Sequence, residues 1–267
     1  MKKALAAAFV VIIGSLAYLG CSSGGSSSAP APTTGSLTVT GSPTLTNAFS
    51  TPLLYSSQAT TTISGTPSSV KIKAYKIWIS QNASCADPVL VADNTASAAY
   101  VDVMTKPTLF TASSVTPGTY HCLILKVSDI FKFTPDATAQ AASGGVCVAG
   151  TEVSFDILKV ETPAENWLDL ETGQTVAGEG AIGNSVEQTV FLFASTDNTA
   201  ISSAYPLIYH NQMGNLTSPF TITAGQTTKA AFVVDTTDRI SVIPGNNNGT
   251  ITNYCWLEGF NAQFLTQ

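Results

Sequence analysis

Residues 70–79 read VKIKAYKIWI, an alternation of apolar and polar residues that is typical of a β-strand. The apolar residues occupy even positions up to Ala74 and odd positions from Ile77 onward. A change of phase within one strand predicts a β-bulge, because an inserted residue turns the side chains that follow to the other face. We therefore predict one bulged strand here, with the bulge near Tyr75.

The rest of the chain carries similar signals. Residues 153–157 (VSFDI) alternate, as in a strand with one solvated face, whereas residues 190–193 (VFLF) and 230–234 (AAFVV) are apolar throughout, as in strands that are covered on both faces. Glycine and proline turn signals separate these runs. The pattern predicts an all-β fold, an antiparallel β-sandwich with long loops.

One segment favours a helix. Thr162 is a candidate N-cap, Pro163 suits the first helical position, and Glu165 can close a capping box. We therefore predict one short helix near residues 163–170.

The composition limits the class of function. Apolar residues make up 44% of the 267 residues, which is enough for a core, and charged residues make up only 10%. The formal net charge is −6, and the chain has 11 basic residues. Nucleic-acid binding is not expected, because neutralising phosphates requires clustered lysine and arginine.

The N-terminus carries an export signal. Lys2 and Lys3 precede an uncharged apolar run over residues 4–20. The sequence LAYLGC at residues 16–21 resembles the lipobox of bacterial lipoproteins, in which the peptidase cuts before a cysteine that carries lipid. That resemblance implies lipidation at Cys21 and a place in the bacterial cell envelope. Two alternatives are a spanning helix and an ordinary signal peptide with an incidental cysteine.

The resulting domain organisation has three parts. Residues 1–20 form the lipoprotein signal peptide, residues 21–36 form the lipidated cysteine with a flexible Ser/Gly/Pro tether, and residues 37–267 form a single elaborated β-sandwich. Ser22 resembles the residue that sends enteric lipoproteins to the outer membrane. The predicted location is therefore the outer membrane, at its periplasmic face or at the cell surface, with a lipid as the membrane contact.

Four cysteines remain after Cys21, which in an exported chain predicts two disulfides with three possible pairings. The preferred pairing joins Cys122 to Cys147 and Cys85 to Cys255. None of the four forms a C-x-x-C motif, so a zinc site is not expected. We expect neither a metal nor a cofactor.

Two stretches carry a family likeness. Residues 117–127 (PGTYHCLILKV) resemble the turn and strand of transthyretin-like and carboxypeptidase-regulatory-like sandwiches. Residues 220–229 (FTITAGQTTK), followed by FVVD at 232–235, resemble a late strand pair in bacterial lipoprotein domains of unknown function. The likeness covers about residues 65–245 and implies an immunoglobulin- or transthyretin-like sandwich without catalytic residues.

The candidate catalytic groups have simpler interpretations. The segment around Ser185 lacks the second glycine of a nucleophile elbow. His121 and His210 lie in alternating or apolar runs, so both are expected to be strand residues rather than bases. Carboxylates cluster in sequence and could form an acid pair for glycoside hydrolysis, although helix capping and solvation also explain them: Glu161, Glu165, Asp169 and Glu171. Calcium-binding loops are not expected at Asp197, Asp235 or Asp238.

The sequence therefore favours a non-catalytic binding or structural module. Its ligand would be a protein or a glycan, bound through loops or through exposed aromatics such as Trp78, Tyr254 and Trp256. The alternative is a lipoprotein glycan hydrolase that uses the acidic cluster.

Overall fold

The computed structural model describes part of the chain: residues 31–43, 61–62, 65–156, 166–177, 187–197, 199–201, 213–216, 218–247, 250–257 and 261–266. The predicted signal peptide, Cys21 and most of the predicted tether lie outside these residues. Pro32–Gln267 form one compact unit.

Strands dominate the described residues. In chain order they are β1 Gly35–Ser42, β2 Thr61–Thr62, β3 Ser69–Ser80, β4 Val89–Asp93, β5 Tyr100–Asp102, β6 Thr108–Val115, β7 Gly118–Tyr120, β8 Cys122–Ser128, β9 Ile130–Thr134, β10 Val153–Asp156, β11 Asn166–Leu168, β12 Thr175–Ala177, β13 Thr189–Ser195, β14 Met213–Leu216, β15 Phe220–Ile222, β16 Thr227–Asp235, β17 Ile240–Asn247, β18 Thr250–Leu257 and β19 Asn261–Thr266. The helical segments include α1 Ala137–Ala142 and the 3-10 turns Thr95–Ser97 and Val103–Thr105, and residues 199–201 are also helical. Within the described part of the chain, none of the helices has the length and apolar character that crossing a bilayer requires.

The predicted all-β fold is confirmed. The main sheet runs in the order β10-β9-β3-β8-β13-β14-β19-β16-β1-β6, and β4 and β5 also pair with β3. Most pairs are antiparallel, but β1 with β16, β13 with β14, and β14 with β19 are parallel. The sheet is therefore mixed, which the turn signals could not indicate, because parallel neighbours need long connections.

The two halves of this sheet share one core. Ile72 on β3 and Leu125 on β8 belong to the same buried cluster as Leu37 on β1, Phe110 on β6 and Phe232 on β16. Each of these side chains is at most 2% exposed. Because strands from both halves of the path contribute to one cluster, the halves pack face to face, as in a sandwich.

The predicted bulge is present in β3. The pairing of β3 with β8 shifts register between Ala74 and Lys76, so Tyr75 is the additional residue. Val70 and Ile72 are buried before the shift, and Ile77 is buried after it. The bulge therefore keeps apolar side chains on the core face along a twelve-residue strand.

The predicted helix near residues 163–170 is wrong over its described part. Asn166–Leu168 form strand β11, which pairs with β12 in a hairpin. The turn after it is built by Asp169, whose Oδ1 accepts the backbone N–H groups of Glu171 at 2.8 Å and Thr172 at 3.1 Å. Residues 163–165 lie outside the described residues. Turn formation by an aspartate side chain competes here with the helical signal upstream.

A helix that the sequence reading missed is α1. Asp136 caps it, with Oδ1 accepting the backbone N–H of Ala139 at 2.7 Å. An aspartate before the run ATAQAA was the available signal, because a capping carboxylate satisfies a free N–H of the first turn.

The chain forms two disulfides, as predicted, but the preferred pairing is wrong. Cys85 is bonded to Cys122, and Cys147 is bonded to Cys255. The first pair forms because β3 and β8 are antiparallel neighbours, with Ser80 opposite Cys122. The loop that leaves β3 therefore returns next to the start of β8.

The compact unit begins before the predicted boundary at residue 37. β1 begins at Gly35, and the Thr34 carbonyl accepts the N–H of Gly225 at 2.9 Å. Gly225 has φ +71°, and a Cβ there would lie 2.7 Å from Cγ of Pro32. The last residues of the predicted tether thus pack against the turn between β15 and β16.

Candidate binding groove

His121 makes structural contacts between two strands. It lies between β7 and β8, half-buried, and its backbone N–H donates to the Ser80 carbonyl at 2.9 Å. Its carbonyl accepts the N–H of Thr196 at 3.0 Å, and its Nδ1 lies 3.3 Å from Oγ1 of the same threonine. These contacts fit the predicted structural role. His210 lies outside the described residues.

The acidic cluster is divided between turn and ion-pair roles. Glu161 and Glu165 lie outside the described residues, and Asp169 builds the hairpin turn. Glu171 binds Lys76, with Nζ 2.6 Å from Oε1, and it also binds Lys126. Burial alone would raise the pKa of Glu171, but the two lysines outweigh it and lower that pKa. The described members therefore do not converge as a catalytic pair.

Further carboxylates pair with lysines on the outer face of β3 and its neighbours. Glu152 contacts Lys71 at 2.6 Å and Lys132 at 3.3 Å. The side-chain hydrogen bond from Lys71 is the main cause of the lowered pKa of Glu152. Lys132 also lies 4.5 Å from the ring centroid of Tyr100, a cation–π distance.

Glu187 joins this face through a tyrosine. Its Oε1 lies 2.9 Å from Lys73 Nζ and accepts the Tyr75 hydroxyl at 2.5 Å. Burial, followed by the hydrogen bond to Glu187, raises the pKa of Tyr75 to about 12. Because each lysine named on this face has a carboxylate partner, the face is poorly suited to anionic ligands.

The prediction that Trp78 is an exposed aromatic residue is wrong. This side chain is 7% exposed and its ring centroid lies 5.7 Å from that of Phe191 in a second apolar cluster, which also contains the Cys85 to Cys122 disulfide. Tyr254 and Trp256 are half-buried, and Trp256 packs edge-on against Phe155 at 5.3 Å.

Metal binding has no support in the described residues, where no group of three His, Cys, Asp or Glu side chains is placed to hold an ion. Asp197 instead caps the helical residues 199–201, with its Oδ1 accepting the N–H groups of Thr199 and Ala200 at 3.0 and 3.1 Å. Asp238 lies in a turn with φ 55°, and the side chain of Asp235 is not described.

A groove of about 740 Å³ lies beside β4 and is the candidate functional site. Its lining comes from the end of β3, the loop of residues 81–87, the first half of β4, the end of β6, and residues 116, 120 and 121. This volume lies within the range of ligand-binding pockets. The sequence did not predict this groove.

The loop of residues 81–87 is fixed by a disulfide and by a backbone hydrogen bond. The disulfide from Cys85 to Cys122 fixes it to β8, and the Cys85 N–H donates to the Asn82 carbonyl at 2.9 Å. Cys85 and Asp87 both adopt left-handed backbone conformations, with φ 60° and 51°. Such conformations persist when the surroundings fix them, so this wall is preformed.

Two buried serine side chains form hydrogen bonds to the same loop. The Ser80 hydroxyl accepts the N–H of Asn82 at 3.0 Å and donates to the Ala86 carbonyl. The Ser195 hydroxyl donates to the Ala83 carbonyl at 2.5 Å. Both serines are at most 3% exposed, so these hydrogen bonds are buried and stabilise one loop conformation.

The groove opens where two strands diverge. Near the end of β4, the Asn94 amide Nδ2 donates to the Leu109 carbonyl of β6 at 3.0 Å. Residues 89–91 of β4 line the cavity, as do residues 114–116 at and just after the end of β6. The contact at Asn94 and Leu109, together with the cavity at Val89 and Ser114, indicates that the two strands run antiparallel and separate toward Val89, and we call the space between them the wedge.

The lining contains both apolar and polar residues. Val89 is 59% exposed and Leu90 is 44% exposed, while Ser114 and Thr116 are polar lining residues. The tyrosine of the PGTY turn, Tyr120, is buried, with its hydroxyl donating to the Thr116 carbonyl at 2.6 Å. A preformed groove with apolar and polar lining residues can bind a ligand.

Comparison with known proteins identifies no relative: no protein-family model, no curated protein and no solved structure matches the chain. The resemblance of residues 117–127 and 220–235 to transthyretin-like sandwiches stays a prediction. The lipobox lies outside the described residues, so lipidation at Cys21 also stays a prediction.

Proposed function

We propose that the chain is a lipid-anchored protein of the bacterial cell envelope that acts as a non-catalytic binding module. Its ligand binds in the groove beside β4. The anchor is the lipid on Cys21, and the residues between Cys21 and Pro32 could extend roughly 35 Å, enough to hold the compact unit away from a membrane surface.

The observation that carries this proposal is the groove itself. One wall is fixed by the disulfide of Cys85 and by two buried serine hydroxyls, and the other wall is the end of β6. A site whose walls are already ordered loses less conformational entropy when a ligand binds. Two exposed apolar residues, Val89 and Leu90, supply contact area on a surface that would otherwise be costly to leave in water.

The hydrolase alternative is weaker because of how its described acids are used. Glu171 is neutralised by two lysines, and the Asp169 carboxylate accepts two backbone N–H groups in a turn. A general acid for glycoside cleavage needs a raised pKa, whereas the pKa of Glu171 is lowered. These contacts support a structural role for both side chains.

The test combines crosslinking and turnover. A photoreactive amino acid at Ser114 in the groove should give crosslinked adducts of discrete mass in cells that make the protein. The matched control is the same group at Val148, which is 47% exposed and lies outside the groove. The purified full chain should show no turnover of peptidoglycan, polysaccharides or esters.

Two outcomes would contradict the proposal. Equal adduct patterns from Ser114 and Val148 would mean that the groove holds no ligand. Turnover that is lost in both Glu165→Gln and Asp169→Asn, with the circular dichroism spectrum unchanged, would establish the hydrolase instead.

A further inference from the structure

We propose that the ligand of the groove is an extended segment of another polypeptide, which pairs with the free edge of β4 as an added strand. This inference rests on the proposed binding function and names its partner class. The partner segment is apolar and carries a basic residue at the end that faces Asp87.

The outer edge of β4 has no strand neighbour within the described part of the chain. Among the described strands, β4 pairs only with β3. Backbone groups of Val89, Leu90 and Val91 make no hydrogen bond outside that ladder to any described residue. A strand edge with unused N–H and C=O groups is a template for another strand, and main-chain hydrogen bonds then supply much of the affinity.

The edge is only partly protected: Pro88 precedes β4 and Val91 is a bulged residue in its pairing with β3, but residues 89–92 carry no charge. Natural edge strands carry lysine, proline or inward-pointing charge, which block pairing with other chains. Residues 89–92 read VLVA, and their two exposed members are among the three exposed large hydrophobic residues of the described chain: Val89, Leu90 and Val148. An edge of this kind persists in a stable protein when a partner covers it.

The wedge between β4 and β6 accommodates a strand. Because the two strands meet at Asn94 and Leu109 and then diverge, an inserted segment faces β4 on one side and residues 114–116 on the other. β4 has five residues, so the paired length is about 17 Å. Ser114 and Thr116 can exchange hydrogen bonds with the outer edge of the segment.

Charge indicates the sequence that the groove prefers. Asp87 lines the groove before β4, and the lining contains no lysine or arginine. Asp93, which ends β4, is already paired with Lys76 at 3.3 Å. A segment with lysine or arginine at the end nearest Asp87 would place its charge near this carboxylate. Opposite charges at facing positions of a strand pair are stabilising, and like charges are destabilising.

Two other occupants fit less well. A second copy pairing β4 with β4 about a two-fold axis would offer Asp87 no basic partner, because residues 89–93 contain no lysine or arginine. A glycan would gain from an exposed aromatic face, but the aromatic ring at the groove, Tyr120, is 4% exposed and stacks on Phe220 at 5.5 Å.

The experiment uses the full chain in mild detergent and a fluorescein-labelled peptide of sequence KTVTVTK. Binding is measured by fluorescence anisotropy, and amide hydrogen exchange of residues 89–91 reports strand pairing. We expect saturable binding and slower exchange of these amides. A proline-interrupted peptide, KTVPVTK, should bind at least tenfold more weakly because proline lacks the N–H that pairing needs. The acidic peptide ETVTVTE should also bind more weakly.

Protein variants test the edge directly. Leu90→Lys adds an edge charge at a solvent-exposed position and should reduce affinity for KTVTVTK at least tenfold. Val148→Lys is the matched control and should bind as the parent does. Asp87→Asn keeps a residue that tolerates φ 51° and should weaken binding by about two- to fivefold.

The outcomes separate this inference from the proposed function. If KTVTVTK does not bind, or binds equally to Leu90→Lys, while Ser114 still gives discrete adducts in cells, the strand partner is refuted and the groove remains a binding site. Concentration-dependent dimers in analytical ultracentrifugation that Leu90→Lys abolishes would identify a second copy as the occupant and overturn the inference. Loss of both peptide binding and adducts would refute both proposals.

Discussion

Removing the disulfide between Cys147 and Cys255 should destabilise the protein more than removing the one between Cys85 and Cys122. The cystines span 108 and 37 residues, respectively. In the chain-entropy model, a crosslink stabilises by restricting the unfolded chain, and its effect grows with the logarithm of the loop length. The model gives about 4.8 kcal/mol for the longer loop and about 3.8 kcal/mol for the shorter one.

The two loops do not overlap in sequence, so the two losses should be independent and nearly additive. Domains of this kind have a total stability of about 5–15 kcal/mol, and the longer crosslink thus accounts for a large share. All four sulfurs are buried, at most 8% exposed, so replacement by alanine leaves cavities of similar size in both variants.

The measurement is guanidinium chloride unfolding of the parent and of the two double alanine variants, followed by intrinsic fluorescence. We expect a lower midpoint in both variants, with the Cys147/Cys255 variant lower by the equivalent of about 1 kcal/mol. Peptide mapping of the Cys85→Ala single variant should find a free thiol at Cys122 alone. A larger loss in the Cys85/Cys122 variant would refute the loop-length argument, and a free thiol at Cys147 in Cys85→Ala would refute the pairing.

Three further predictions concern the core, the charged face and the anchor. Phe232→Ala should lower the free energy of unfolding by about 3–5 kcal/mol, because the ring is fully buried and packs on Phe264 at 5.1 Å; a change under 1 kcal/mol in chemical denaturation would contradict that packing. The pKa of Glu171 is lowered in the folded state from its usual 4.5, so the folded protein binds fewer protons at this residue than the unfolded chain does. The ionised Glu171 therefore contributes fully to the free energy of unfolding above pH 4.5, and this contribution is lost as the pH falls through the lower folded pKa. Stability curves of the parent and Glu171→Gln should therefore differ at pH 7 and converge in acid, and a constant difference at all pH values would show that the charge is not involved. Cys21→Ala should release the protein from the membrane fraction, whereas integral-membrane behaviour with the signal uncleaved would contradict lipid anchoring.

The sequence predicted strands correctly where the pattern of apolar residues records which side chains are buried. In β3 the phase change at Tyr75 predicted the bulge correctly, because the two-residue period of a strand leaves a direct record of which face each side chain occupies. The apolar runs at residues 190–193 and 230–234 likewise became β13 and β16, which lie inside the main sheet.

Features that depend on which strands become neighbours could not be predicted from the sequence. The pairing of Cys85 with Cys122 follows from the antiparallel contact of β3 and β8, and no local pattern records that contact. The groove depends on the divergence of β4 and β6, whose contact at Asn94 and Leu109 joins separate stretches of chain. The local signal that was present, an uncharged run VLVA bounded by Pro88 and Asp93, indicates a strand but not that its edge is free.

The position of β1 also has a consequence for the order of folding. β1 lies between β16 and β6 and is parallel to β16, with Ser36 opposite Thr227 and Val39 opposite Ala230. The first strand of the compact unit therefore has to wait for nearly the whole chain before one of its two neighbours exists. Contacts between such distant residues slow folding, because the loop must close before the pairing stabilises it. A chain that is still emerging from the ribosome cannot complete this sheet, because β19, which lies between β14 and β16, ends at Thr266, so the fold delays its own closure until synthesis has passed that residue.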